Sequence, residues 1–192
     1  MSAQTNTAAL LKVVTGKCRA SYVNVIEPRL NELSGKEEYS MTVLIPKNDK
    51  NTLAAIKGAV DTAIAMKWPS RVPQGVQKPV HDGDGPKPNG GDYGPECEGH
   101  YVINVKSSHK PGVVDAQLNP IMSREDFQSG DYCRVSLNAY AYDNKRIGVS
   151  FGLNNVQVLE KGDPLGGSRT RPEDDFGPAM NNAAELDDDI PF

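Results

Sequence analysis

Two neighbouring stretches of the chain alternate between apolar and polar residues so regularly that they predict a β-hairpin. Within residues 132–142, Cys, Val, Leu and two Ala share one face, whereas three Tyr, Arg, Ser and Asn share the other. Asp143 and Asn144 provide the turn, and residues 147–153 alternate again before the strand continues to residue 159. Since successive side chains of a strand point to opposite faces, the hairpin should cover an apolar core and expose its tyrosine-rich face.

Three more strands and one helix are predicted upstream of this hairpin. Apolar residues recur at helical spacing over residues 51–67, and Trp68-Pro69 should end the helix. The predicted strands span residues 11–25 with a bend at Gly16, residues 37–45 and residues 100–107. Five alternating strands with one helix favour an all-β domain, and the leading candidate is the OB-fold, a five-stranded, partly open Greek-key barrel.

Segments with little to bury flank and interrupt these elements. Residues 69–98 are dense in Pro, Gly and Asp, which predicts a long, disordered and mobile loop. Lys78 and Lys87 in that loop are hypothesised to close over a bound strand. We therefore expect a flexible N-terminus at residues 1–10, a folded domain at residues 11–162 and a disordered acidic tail at residues 163–192.

Charge is distributed unevenly between this domain and the tail. The whole chain carries a net charge of −4, but its last thirty residues hold eight acidic residues and two arginines, a net charge of −6. Residues 1–162 are therefore left with a net charge of +2. A mildly basic body with a separate acidic tail is compatible with binding a polyanion.

The tail ends in a distinctive peptide. Four carboxylates within residues 185–189 precede Ile-Pro-Phe, and so many charges cannot be buried with so few apolar side chains. Because an apolar end beside carboxylates suits a pocket lined by Lys or Arg, we interpret it as a docking peptide. The alternative is a solvated acidic terminus. The predicted partner-binding residues are Asp187, Asp188, Asp189, Ile190, Pro191 and Phe192.

The polar face of the hairpin, together with nearby cations, predicts an interface for single-stranded nucleic acid. Tyrosine rings can stack on bases, and Lys and Arg can contact phosphates. The alternative is that the tyrosines only stabilise the sheet or pack under a loop. The predicted DNA-binding residues are Lys17, Arg19, Lys106, Tyr132, Arg134, Asn138, Tyr140, Tyr142, Lys145 and Arg146.

Two parts of the chain also resemble known proteins. The ending Asp-Asp-Asp-Ile-Pro-Phe resembles the C-terminal tip of bacterial single-stranded DNA-binding proteins. The body, above all residues 132–160 with the run Ser-Phe-Gly-Leu-Asn-Asn, resembles a family of phage single-stranded DNA-binding proteins that have the OB-fold. One departure is that the predicted helix follows the second strand, whereas the usual helix of this fold follows the third.

The resemblance implies a non-catalytic protein that coats and protects single-stranded DNA in phage DNA replication, recombination and repair. It also implies that the acidic tail recruits a polymerase, helicase, primase or nuclease. A homodimer is compatible with this class. If the chain is phage-encoded, its expected location is the cytoplasm of the bacterial host.

The sequence does not favour an enzyme, a metalloprotein or a membrane protein. Asp82-Gly83-Asp84-Gly85 resembles the start of a calcium loop, but Tyr93 stands where the loop needs a glutamate. Cys97 and His100 form one isolated pair, and no nucleophile elbow or phosphate-binding loop is present. We therefore expect no catalytic residues, metal or cofactor, and the absence of a long apolar run predicts no membrane partner. A metal-dependent nucleic-acid-processing enzyme and a virion or scaffold protein remain as alternatives.

Overall fold

The computed structural model describes residues 8–32 and 34–165, which form a strongly curved sheet, one long α-helix and one short 3-10 helix, with a further helical turn at residues 8–11. In chain order the elements are β1 (Lys12–Val14), β2 (Cys18–Asn31), β3 (Lys36–Pro46), α1 (Lys50–Lys67), β4 (Val80–Asp82), the 3-10 helix (Pro95–Cys97), β5 (His100–Ser107), β6 (Gly112–Val114), β7 (Tyr132–Asp143) and β8 (Ile147–Glu160). Within these residues no helix is both long and apolar enough to cross a membrane.

Five of the strands close into a ring. Their order is β7-β2-β3-β5-β8, and β8 pairs with β7 to complete the circuit. β5 and β8 run parallel, whereas the other neighbours in the ring are antiparallel. Alternate residues of every strand fill the interior with large, fully buried side chains, among them Val43, Ile103, Leu137 and Phe151. This arrangement is the barrel of the OB-fold, so the predicted fold class is confirmed.

The predicted hairpin and helix are both present. β7 and β8 pair along their whole lengths, with the register shifted by a bulge where Ser136 faces Asn155 and Leu137 faces Leu153. Asp49 caps α1 by accepting a hydrogen bond from the Thr52 amide at 3.1 Å. The buried face of the helix packs against β7 and β1, which places α1 over one end of the barrel.

The first predicted strand differs from the structure in its middle and at its C-terminal end. Instead of one strand over residues 11–25, the chain forms β1 and β2 with a break at Gly16, whose amide donates to the Thr52 hydroxyl at 2.8 Å. A Cβ at Gly16 would lie 2.5 Å from a carboxylate oxygen of Asp49, so the chain bends where it passes close to the start of α1. β2 also continues through Pro28 to Asn31, because Pro28 falls where the β2–β3 ladder is irregular and needs no donor.

Residues 69–98 are the largest correction to the predicted fold, because they contain regular hydrogen bonds where a disordered loop was expected. Gln77 donates to the Ile147 carbonyl and accepts from the Val149 amide, both at 2.9 Å, while β4 pairs with residues 101–103 of β5. Residues 76–82, here called the seam segment, therefore lie between β5 and β8. In the described part of the chain, β5 and β8 pair directly at only two positions, where Val105 faces Phe151 and Lys106 faces Gly152. Backbone hydrogen bonds supply the anchoring that the composition did not predict, while the mobility of the loop stays a prediction.

The end of the described chain is also held in place. Asp131, which is 3% exposed, accepts hydrogen bonds from the Gly162 amide and the Lys161 ammonium. Leu165 donates its amide to Ser129 and packs against a small cluster of Leu44, Cys97 and Val102 on the outside of the barrel. The tail boundary predicted at residue 163 thus falls within an anchored segment, and residues 166–192 lie outside the described residues.

Candidate nucleic-acid interface

A groove with a volume of about 1500 Å³ runs along the outer face of the barrel. Its floor is formed by outward side chains of β2, β3, β5 and β8, and the loop 77–97 forms one wall. The floor side chains are small and polar. They are Ser21, Ser40, Thr42, Asn104 and Ser150.

The floor is fixed by cross-strand contacts. Thr42 faces Asn104 in the β3–β5 register, and its hydroxyl donates to the Asn104 side-chain carbonyl at 2.7 Å. Two positions further along the ladder, Ser40 faces Lys106, whose ammonium contacts a Glu38 carboxylate oxygen at 3.3 Å. A firm, uncharged floor of this kind can accommodate a planar group without burying an unpaired charge.

Aromatic and cationic side chains stand around this floor. Tyr22, Tyr93 and Tyr142 line the groove. The ammonium of Lys87 lies 5.6 Å from the centre of the Tyr93 ring, a cation–π distance. Four lining residues are cationic and two are acidic, so the groove carries a positive balance. The cations are Arg29, Lys78, Lys87 and Arg146, and the acids are Asp92 and Glu96.

The position of Tyr142 depends on Gly148 and on the seam segment. Tyr142 faces Gly148 in the β7–β8 register, and a Cβ at Gly148 would lie 2.5 Å from the Tyr142 hydroxyl oxygen and 2.9 Å from the Gln77 carbonyl oxygen. The tyrosine ring therefore lies directly over the glycine. A small residue opposite a tyrosine could leave room for a ligand, but at Gly148 the tyrosine itself fills that room.

The structure divides the predicted DNA-binding residues into two groups. Tyr142 and Arg146 line the groove, and Lys106 borders its floor. Tyr140, 42% exposed, and the exposed Lys145 lie on the same hairpin outside the groove lining. Asn138 also lies outside it, and its amide donates to the Asn154 side chain at 3.3 Å.

The second group lies at the other end of β7 and makes contacts within the protein. Lys17 and Arg19 approach the Tyr132 ring at 4.6 and 5.8 Å from its centre. Arg19 also donates to the carbonyls of Gly130 and Asp163, at 3.1 and 2.8 Å, and Lys17 pairs with Glu160. Arg134 donates to the Thr15 carbonyl at 3.1 Å. The structure does not bring this group into the groove.

Several groove residues were not predicted from the sequence. Strict alternation along residues 11–25 placed Tyr22 on the apolar side, with Cys18 and Ala20, but Tyr22 is 69% exposed and faces the groove. Tyr93 and Arg29 lay in stretches interpreted as connections. Lys78 and Lys87, by contrast, were hypothesised from the sequence to close over a bound strand, and both line the groove. A signal for Tyr93 existed in the sequence, since an aromatic residue in an otherwise polar loop needs a partner.

Electrostatic contacts hold the loop wall against the barrel. The Lys47 ammonium bridges Asp82 and Asp84, and its hydrogen bonds lower the pKa of both carboxyls. The half-buried His81 lies in the wall, and burial lowers its pKa. The two aspartates of the Asp-Gly-Asp-Gly stretch, which the sequence already argued against as a calcium loop, thus bind a lysine. The described residues contain no group of three or more His, Cys, Asp or Glu that could hold a metal ion.

The fold and the sequence match known phage proteins. The structure is similar to that of the single-stranded DNA-binding protein from bacteriophage Enc34 in complex with ssDNA. The TM-score is 0.70, with 22% identity, and the match covers 81% of this chain and 90% of that one. It is also similar to gp2.5, a single-stranded DNA-binding protein encoded by bacteriophage T7. That TM-score is 0.56, with 16% identity, and the match covers 91% of this chain and 97% of that one. At these identities the likeness shows the fold.

The sequence comparisons show the family. Putative protein p50 of Acyrthosiphon pisum secondary endosymbiont phage 1 is 23% identical over 176 residues, and the match covers 86% of this chain and 92% of that protein. The family model described as Enterobacter phage Enc34, ssDNA-binding protein, matches residues 11–190, nearly the whole chain. The chain therefore belongs to the family of the phage Enc34 ssDNA-binding protein.

Proposed function

We propose that this protein binds single-stranded DNA in the groove, without catalysing a reaction on it. The observation that carries the proposal is the combination of three tyrosines and four cations around a small, polar floor. Aromatic rings give each base a stacking partner irrespective of its identity, and cations follow the phosphates. The family match and the likeness to a protein solved in complex with ssDNA support the same proposal.

The arrangement of charge and aromatic groups suggests how the strand is held. Cations occur on the loop wall, at Lys78 and Lys87, and on two other elements that line the groove, at Arg29 in β2 and at Arg146 in the β7–β8 turn. The uncharged floor between them is suited to bases and not to phosphates. Few groups are placed to read base edges, so binding should show little sequence preference.

Alanine variants of the groove test this proposal. Tyr142→Ala should weaken binding to oligo-dT by about 5- to 150-fold, since stacking on one ring contributes on the order of 1–3 kcal/mol per base. Arg146→Ala should weaken binding and reduce the slope of log affinity against log salt by about 0.7, the value for one phosphate contact on a single strand.

Fluorescence anisotropy with labelled oligo-dT at several salt concentrations measures both effects. Lys57→Ala serves as the matched control, because Lys57 is an exposed cation on α1 that pairs with Asp61 and does not line the groove. Its affinity and salt slope should equal those of the parent. Parent-like binding by both Tyr142→Ala and Arg146→Ala would show that DNA does not occupy the groove.

The proposal extends to replication, recombination and repair, in which the protein would cover exposed strands and recruit a polymerase, helicase, primase or nuclease. Its support is the net charge of −6 in the last thirty residues and their Ile-Pro-Phe ending. The peptide Asp187–Phe192 lies outside the described residues. We propose that the tail also competes weakly with DNA for the basic body, an interaction that salt should screen.

Two truncations separate these roles of the tail. Removing residues 166–192, which leaves the anchored Leu165 in place, should tighten oligo-dT binding at low salt and abolish capture of the partner enzyme. Deleting Phe192 alone should leave DNA affinity unchanged and abolish capture. Weaker DNA binding by the longer truncation at low salt would instead make the tail part of the DNA site.

A further inference from the structure

Tyr22 occupies an unusual position in β2. Its φ is +48°, in the left-handed region that residues other than glycine rarely adopt. Its side chain is nevertheless large and apolar and is 69% exposed at the groove. A costly backbone conformation and an exposed aromatic ring both lower stability or solubility, so their coincidence at one residue calls for a functional explanation.

A β-bulge produces this position. Ser21 faces Thr42 and Asn24 faces Ser40, so β2 has one more residue than β3 between these pairs. Bulges turn a side chain away from the alternation of the strand, often beside a binding site. Here the bulge lets Ser21, Tyr22 and Asn24 all line the groove, although strict alternation would turn Tyr22 away from Ser21.

Side chains satisfy the backbone groups that the bulge removes from the ladder. The Asn24 amide donates to the Tyr22 carbonyl at 3.0 Å, and the Ser129 hydroxyl accepts from the Val23 amide at 3.2 Å. Ser129 belongs to the segment before β7, more than 100 residues along the chain. Both a local and a distant side chain thus hold the bulge in shape, which keeps the Tyr22 ring at the groove before any ligand arrives.

We infer that Tyr22 is a base-stacking residue of the groove, presented by the bulge in β2 to a nucleobase of single-stranded DNA. The inference rests on the proposed function and adds to it a residue that neither the alternation of the sequence nor the family resemblance assigned. Tyr22 and Tyr142 lie on separate strands of the groove lining, so they can stack on different bases of one strand.

Substitution by asparagine tests the inference without endangering the fold. Asn tolerates a left-handed backbone better than tyrosine, so Tyr22→Asn should unfold at the same temperature as the parent or a higher one. It should weaken oligo-dT binding by about 5- to 150-fold, because one stacking contact is lost. Tyr22→Phe should bind within about twofold of the parent, because stacking needs the ring and not the hydroxyl.

Leu118 provides the matched control. Among the described residues other than glycine, only Tyr22 and Leu118 have a positive φ, which is +68° at Leu118. Leu118 is 68% exposed and does not line the groove. Leu118→Asn should match Tyr22→Asn in its effect on thermal unfolding and bind oligo-dT like the parent. Equal loss of binding in both asparagine variants would overturn the inference.

A direct contact can be detected as well. Oligo-dT carrying 5-iododeoxyuridine, irradiated in complex with the full-length protein and digested with trypsin, should label the peptide of residues 20–29. If the parent binds oligo-dT and Tyr142→Ala binds more weakly, but Tyr22→Asn binds like the parent, the role of Tyr22 is refuted. The groove would then remain the proposed DNA site. A parent that does not bind oligo-dT would refute the proposed function itself.

Discussion

Replacing Gly148 by alanine tests the packing that holds Tyr142 at the groove. The added Cβ would lie 2.5 Å from the Tyr142 hydroxyl oxygen, 2.8 Å from its Cζ and 2.9 Å from the Gln77 carbonyl oxygen. Contacts below 3.0 Å are essentially never seen for a Cβ, so the ring or the seam segment must move. Gln77 is held to both Ile147 and Val149 by hydrogen bonds, so movement of its backbone strains two contacts at once.

The expected cost follows from these contacts. Overpacking of a well-packed site typically lowers the free energy of unfolding by about 1–3 kcal/mol. Alanine also restricts the backbone of the unfolded chain, which raises the free energy of unfolding by about 0.4–1 kcal/mol. We therefore expect Gly148→Ala to lower the free energy of unfolding by about 1–2 kcal/mol. Because the Tyr142 ring is displaced from the groove, oligo-dT affinity should fall by up to about tenfold, which corresponds to 1.4 kcal/mol.

Gly152→Ala is the matched control on the same strand. A Cβ there would meet its nearest atoms, the Asn138 carbonyl oxygen and Tyr140 Cε1, at 3.9 Å, an ordinary contact. Its free energy of unfolding in a urea titration should stay within about 0.5 kcal/mol of the parent. If Gly148→Ala is as stable as Gly152→Ala and binds oligo-dT equally well, the tyrosine does not lie over Gly148 and the reasoning fails.

Three further predictions concern the loop wall and the end of the domain. Burial lowers the pKa of His81 in the folded protein, so the unfolded chain takes up a proton first as the pH falls below 6.5 and the parent should lose stability there. In urea titrations at a series of pH values, His81→Gln should lose less stability than the parent over the same range. Lys47→Gln should increase the rate of proteolytic cleavage within residues 69–98, because Asp82 and Asp84 lose their ion pairs. Oligo-dT should slow that cleavage in the parent, and a cleavage rate that DNA does not change would show that the loop is only a spacer. Asp131→Ala should lower the free energy of unfolding by about 1–3 kcal/mol, because the partly buried amides of Gln128 and Gly162 lose their acceptor; an unchanged urea midpoint would contradict this.

The elements that the sequence predicted well are those whose pattern is local. The hairpin β7–β8 and the helix α1 each carry their periodicity in one continuous stretch, with the turn or the cap beside it. The seam segment lacked such a signal, since its hydrogen bonds go to residues about 20 positions away in β5 and about 70 positions away in β8. A composition rich in Pro and Gly describes how little a segment buries, but not which unpaired strand edges are available to it.

The same distinction between local patterns and long-range pairing explains which groove residues could be predicted. Tyr142 and Arg146, which line the groove, could be predicted because Tyr142 lies on the polar face of the regular hairpin and Arg146 flanks its turn. Tyr22 was missed because one extra residue in β2 reverses the alternation, and an insertion of that kind is visible only when the partner strand is known. Lys17 and Arg19 were also predicted, but Lys17 pairs with Glu160 and Arg19 donates to two carbonyls of its own chain, contacts that a cation's charge does not reveal. Their role in DNA binding stays a prediction.

Closure of the ring between β2 and β7 bears on how the chain reaches its native state during synthesis. Cys18 faces Cys133 across this junction, 115 residues along the chain. At ribosomal rates of about 5–20 residues per second, roughly 5–20 s separate the emergence of β2 from that of β7. Throughout that interval the nascent barrel has an open edge and an uncovered apolar interior, the features that make a chain prone to aggregation. Closure waits for the last two strands, so the hairpin that supplies Tyr142 to the groove is also the final part needed for the protein to fold.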